Sequence, residues 1–171
     1  VGVGYRLLKE VRERMRMHAV SQLFPSFIRY QEQNAGLGEK QPGVRRVVLF
    51  GDPRIEQWMG LPDDAGYEFV NRGIGGETTS EMLGRVQRDV IALEADVAVL
   101  QMGINDLKNL GVLPELEQLG PQTQERIATI ARGLRELGVT PVVCTIFPVG
   151  EIPLKRKPFW SSRTEAAVVE I

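Results

Sequence analysis

The stretch VVLFGDPRIEQW, residues 47–58, decides how the chain is read. It consists of an apolar run, a Gly-Asp break and a segment of helical character. In an α/β protein such a strand-to-helix corner is where a nucleophile or a phosphate cradle commonly sits. The corner residue here is Pro53, which offers neither a nucleophilic side chain nor a backbone N–H.

Working outward, residues 46–50 are apolar apart from Arg46 and rich in β-branched side chains, as in a buried strand. Residues 67–70, 96–102 and 139–147 are further strand candidates. Helical windows lie between them at 79–93 and 118–137. The first window is expected to turn Met82, Leu83, Val86, Val90 and Leu93 to one face. Buried strands alternating with helices of this length predict βαβ units and a parallel sheet covered on both faces. Ligands of such sheets bind beyond the carboxyl ends of the strands, where the strand order switches. The residues that follow each strand are therefore the informative ones.

After the second strand comes NRGIGGETT, residues 71–79. Its glycines allow positive φ and close backbone approach, and Glu77-Thr78-Thr79 can open a helix. A dinucleotide fingerprint would need G-x-G-x-x-G after the first strand, and a P-loop would need a Lys-Ser/Thr pair; neither is present. After the third strand comes MGIND, residues 102–106. Asn105 can aim a carboxamide N–H at an oxyanion, and with the Gly76 N–H it would form an oxyanion hole. Each such donor is commonly worth ~3–4 kcal/mol to a transition state. Asp106 is expected to pin its loop through backbone hydrogen bonds. Residues 147–150, 155–160 and Trp58 are expected either to border the crevice mouth or to pack.

The three blocks, in this order and after these strands, resemble those of the SGNH (GDSL-type) hydrolases. That superfamily of esterases and lipases is named for its Ser, Gly, Asn and His blocks. The branch similar to the platelet-activating-factor acetylhydrolase catalytic subunit has a second block that likewise reads G-I-G-G-D/E-T-T. The resemblance runs from about residue 45 to the end of the chain. It implies a three-layer α/β/α fold with a flavodoxin-like parallel sheet, a small-molecule acyl ester as substrate, and no cofactor.

Residue by residue, the family's oxyanion glycine falls on Gly76 and its asparagine on Asn105. Asp52 matches the aspartate of the Gly-Asp-Ser block. The serine nucleophile falls on Pro53. Nothing matches the Asp-x-x-His block, and the only histidine, His18, precedes the first block. The last strand and the C-terminal block are thus expected to be missing, which would leave the fourth strand with an apolar free edge. Three readings stay open. The chain is a fragment or variant of an ester hydrolase, inactive as written; or a pseudoenzyme binding an acyl or sugar ligand; or an interaction module.

The bulk composition fits one domain. At 171 residues the chain can bury a core without a staple, since a domain of ~150 residues buries roughly 70% of its unfolded surface. A net charge of −1, from 21 basic and 22 acidic residues, gives no electrostatic case for nucleic acid. The lone Cys144 reads as a small buried hydrophobe, and one cysteine with one histidine makes a clustered metal site unexpected. Residues 3–30 read as a charged helix and 31–43 as a linker, so the chain divides into 1–43 and a hydrolase-like 44–171. Both ends read as cut, with Val1 in place of methionine. Membrane association is therefore expected only through a segment upstream, and the compartment is left open between cytoplasm and cell envelope or secretion. No window approaches the ~18 apolar residues of a membrane span.

Overall fold

The computed structural model describes residues 29–111, 117–148, 150–154 and 160–171. The charged helix expected over 3–30 and His18 therefore lie outside the described residues, save Arg29 and Tyr30. Strand β1 (Arg45–Gly51) occupies the middle of a four-stranded sheet. Val47, Val48, Leu49 and Phe50 are all buried, because both faces of β1 are covered. Val48 and Phe50 point to a core with Met82, Leu100, Ile130 and Leu134, while Val47 and Leu49 meet Ile55 on the opposite side. Full burial of a side chain such as Phe50 or Ile55 contributes about 1.5–3 kcal/mol.

Strand β2 (Tyr67–Gly73) pairs with one edge of β1 and β3 (Val97–Gln101) with the other, and β4 (Thr140–Val143) adds to β3. All pairings are parallel, in the order β2-β1-β3-β4. This is the α/β parallel sheet expected from the alternating pattern. The chain leaves β1 in one direction to build β2 and returns on the other side to build β3. The carboxyl ends of β1 and β3 therefore flank a switch point.

Helix α1 (Gln31–Gly36) precedes the sheet, so the linker expected over 31–43 opens with a short helix. Its Asn34 is tied to the domain, donating to Asp89 at 2.7 Å and accepting from Arg72 at 2.7 Å. Helix α2 (Pro53–Glu56) follows β1, α3 (Thr79–Asp89) follows β2, and α4 (Ile104–Lys108) follows β3. Helix α5 (Leu119–Glu136) leads to β4, and α6 (Ser162–Glu170) packs Ala167 and Val168 against Leu107, Leu110 and Ile146.

Two glycines at strand ends are required by close approach. A Cβ on Gly51 would lie 2.0 Å from the Gln101 carbonyl oxygen, and one on Gly73 would lie 2.1 Å from the Glu56 nitrogen. They let β3 and α2 press onto the ends of β1 and β2, which brings the post-strand loops together.

Three expectations need correction. Strand β4 ends at Val143, four residues before the expected limit at 147, and Val142 and Val143 are 45% and 51% exposed at the edge of the described sheet. Cys144, just beyond it, is half-buried and free. On α3, Leu83 is 41% exposed, and the buried face carries Met82, Arg85 and Asp89. Residues 82, 85 and 89 recur at helical spacing, whereas position 83 is rotated ~100° from 82. Among the described residues, no helix is long and apolar enough to cross a membrane.

Candidate active site

The β1–α2 corner is built around Asp52 and Pro53. Asp52 is the N-cap of α2, and its carboxylate accepts the Arg54 N–H at 3.0 Å. Pro53 takes the first helical position. There a backbone N–H would have no partner within the helix, and proline's fixed φ already suits the turn. The local backbone thus accepts proline at the place where the resemblance expects serine.

Asp52 and Pro53 line a cavity of about 540 Å³ at the carboxyl ends of the strands, with Gln101, Lys108, Phe147 and Trp160 among its other walls. The expected mouth residues divide: Phe147, Pro148, Gly150 and Trp160 line the cavity, whereas Trp58 is 50% exposed and does not. Residues 155–159 lie outside the described residues.

The glycine-rich loop reaches this cavity at Gly75, whose missing Cβ leaves room for the Glu56 carboxylate. Gly76 has φ +83°, in the left-handed region that glycine enters without strain. Neither Gly76 nor Asn105 is among the lining residues; Asn105 is joined to the wall through Lys108. The Asn105 Nδ2 donates to the Glu77 carbonyl at 2.9 Å, and its Oδ1 accepts from Lys108 Nζ at 3.1 Å. An amide nitrogen carries two hydrogens, so this use of one leaves a second. Asp106 accepts the Thr79 N–H at 2.8 Å and the Thr79 hydroxyl at 2.7 Å. At the same helix end, Glu81 accepts from both the N–H and the hydroxyl of Thr78, each at 2.7 Å. The loops after β2 and β3 are therefore fastened to each other, with Asp106 holding the start of α3.

Burial pushes the Asp52 carboxyl up from 3.8 to about 6, against the opposing effects of the Arg54 N–H bond and the Lys108 and Arg54 charges. Burial also raises Asp106, opposed by its bonds from Thr79. For Asp52 the folded chain holds its proton more tightly than the unfolded chain does. The resulting stabilisation is complete below pH 3.8 and is lost as the pH rises through about 6. Asp52→Asn keeps a cap acceptor and removes the charge. Relative to that variant, the unmodified protein should lose about 2–3 kcal/mol of stability between pH 4 and pH 8. Urea unfolding at both pH values measures the difference, and a flat difference would contradict a buried Asp52 charge.

A buried charge network behind the site escapes the sequence reading. Arg85 donates from Nε to both Glu77 carboxylate oxygens at 2.8 Å and from Nη2 to one of them. It also reaches the Arg72 carbonyl at 2.9 Å, Asp89 at 3.2 Å and the Gly51 carbonyl at 3.4 Å. Its guanidinium lies 4.2 Å from the centroid of the Phe50 ring. One side chain thus joins the ends of β1 and β2 to the glycine-rich loop. The available signal was periodic: Arg85 and Asp89 are four residues apart on the face that carries Met82. Gln101, the last residue of β3, and Lys108, the last of α4, are also new to the site.

Comparison with known proteins agrees with this fold. Residues 35–171 match the model of the GDSL-like lipase/acylhydrolase family. The chain is 28% identical over 145 residues to the lipoprotein YqeF of Bacillus subtilis (strain 168), covering 75% of this chain and 59% of that protein. A GDSL-like lipase from Bacteroides thetaiotaomicron VPI-5482 superposes with a TM-score of 0.60 at 23% identity, over 81% of this chain and 66% of its own. A lipase/acylhydrolase from Enterococcus faecalis gives 0.54 at 21%, over 74% and 68%. A catalytic mutant of an acetylxylan esterase from Geobacillus stearothermophilus gives 0.53 at 18%, over 77% and 73%. The chain spans less than two thirds of the length of the Bacillus subtilis lipoprotein. With a family match over four fifths of its residues and a parallel sheet of the same kind, the chain belongs to the GDSL-like lipase/acylhydrolase family.

Proposed function

We propose that this chain is the acyl-ester-binding scaffold of an ester hydrolase whose nucleophile position is filled by proline, so that it holds an ester without turning it over. The observation that carries this reading is Pro53 at the first turn of α2, on the wall of the cavity at the carboxyl ends of β1 and β3. In the family's reaction a serine oxygen attacks the ester carbonyl, a histidine takes its proton, and water releases the acyl group. Pro53 removes both the oxygen and the N–H that would have been a further oxyanion donor. Gly76 and Asn105 remain as the oxyanion pair, with Asp52 and Asp106 holding their turns. The G-I-G-G-E-T-T run supports the finer placement beside the platelet-activating-factor acetylhydrolase branch, and with it a small acyl ester as ligand.

The test is hydrolysis of p-nitrophenyl acetate and butyrate after Pro53→Ser in the product of the complete reading frame. Absence of any gain would sink the hydrolase reading. In that background, Asn105→Ala should lower kcat by about 10²–10³-fold, and an unchanged rate would remove Asn105 from the oxyanion hole.

A further inference from the structure

Buried polar atoms rarely go without hydrogen bonds, because each one left unpaired costs about 1–3 kcal/mol. Among the described residues, the buried side-chain nitrogens and oxygens without a partner are Asp52 Oδ2, Gln101 Oε1 and Trp160 Nε1. All three residues line the same cavity. Asp52 and Gln101 are almost fully buried at the adjoining ends of β1 and β3, where the Asp52 N–H donates to the Gln101 carbonyl at 3.1 Å. The unpaired buried side-chain atoms among the described residues are thus gathered at the wall beside Pro53.

We infer that this wall is a seat for a neutral polyhydroxyl group, a saccharide or similar polyol, which in the ester reading above is the alcohol portion of the ligand. The unpaired set consists of two acceptors and one donor. Hydroxyls both donate and accept, so neighbouring hydroxyls on one ring can satisfy all three. An alkyl chain supplies neither role. A carboxylate or phosphate supplies acceptors alone and would meet the carboxylates of Asp52, Glu56 and Glu151 on the same walls. An amine supplies donors alone, leaves the Trp160 N–H unmatched, and meets Arg54 and Lys108. Trp160 and Phe147 add aromatic side chains to the walls, the Arg54 guanidinium lying 5.7 Å from the Phe147 ring centroid, and aromatic surface is of the kind that covers the C–H side of a sugar. A volume of about 540 Å³ is of the size that encloses small organic ligands.

The test uses the unmodified protein, so it needs no catalysis. Xylobiose and cellobiose are titrated calorimetrically, with sodium butyrate and inorganic phosphate as contrasting probes. At least one disaccharide should bind with Kd of about 1 mM or tighter. Butyrate and phosphate should give no heat of binding. Gln101→Leu and Trp160→Phe should each weaken the disaccharide by about tenfold. Their Tm without ligand should be unchanged or raised, since each removes a buried polar atom that has no partner. Three results would overturn the inference: no disaccharide binding, binding of butyrate or phosphate in its place, or disaccharide affinity indifferent to both substitutions. The hydrolase reading is judged separately. Pro53→Ser hydrolysing p-nitrophenyl acetate without saccharide binding would retire the polyol seat alone, while saccharide binding without hydrolysis would retire the ester reading alone.

Discussion

Pro53→Ser should raise p-nitrophenyl acetate hydrolysis by about 10³–10⁴-fold over the unmodified protein, measured as initial rates on the product of the complete reading frame. The size of the gain follows from what proline lacks. A serine there supplies the attacking oxygen and restores a backbone N–H at the first position of α2, where no helical bond needs it and an oxyanion can use it. The corner should tolerate the change, because Asp52 still caps the helix through the Arg54 N–H. The stability cost of losing proline's restriction is about 0.4–1 kcal/mol. Pro53→Ala is the control, restoring the N–H without the oxygen, and it should give little gain. Residues 1–171 alone should gain far less than a product that carries an Asp-x-x-His block, since no histidine follows Asn105 in this sequence and a nucleophile without its base loses most of its advantage. A serine variant of the complete product no faster than the alanine variant would mean that this corner does not hold the family's nucleophile.

How far the sequence reveals this protein depends on which interactions are local. Strand β1 is legible because four consecutive apolar residues can be buried on both faces only at the centre of a sheet, and they are. The far end of β4 is not legible. After Val143, Cys144 makes one more bond to the Leu100 carbonyl at 2.8 Å before the chain leaves the sheet. The apolar Ile146 then packs under α6. An apolar run records burial, and either a strand or a packed loop provides it. Trp58 shows a related error, since closeness in sequence to the β1–α2 corner does not bring its ring to the cavity. The expectation that Gly76 and Asn105 act together rests on their order along the chain. The fastening of Asn105, through the Glu77 carbonyl and Lys108, depends on a fold that brings residues 28 apart into contact. Arg85 illustrates the same limit. A charged residue on an amphipathic helix is ordinarily assigned to solvent, and its partner Glu77 lies in a loop outside the helix.

Arg85→Met should destabilise the protein by about 3–5 kcal/mol in urea unfolding. The side chain is 1% exposed and spans the glycine-rich loop, α3 and the ends of β1 and β2. Methionine fills much of the volume and keeps a contact with Phe50, so the loss measures the charge rather than a cavity. Removing the guanidinium leaves two nearly fully buried carboxylates, Glu77 and Asp89, short of its donors. The two should not respond equally. Asp89 keeps Arg88, at 2.7 Å, and Asn34, at 2.7 Å, and these bonds outweigh burial and hold its carboxyl below the usual range. Glu77 loses three bonds from Arg85, where Asp89 loses one. Adding Glu77→Gln to Arg85→Met should therefore recover part of the stability, because the neutral amide is cheaper to bury, whereas adding Asp89→Asn should recover less. Arg85→Lys should not rescue, since an ammonium cannot span Glu77, the Arg72 carbonyl and Asp89 at once. A loss below about 1 kcal/mol for Arg85→Met, within the range of an exposed ion pair, would contradict a buried network behind the site.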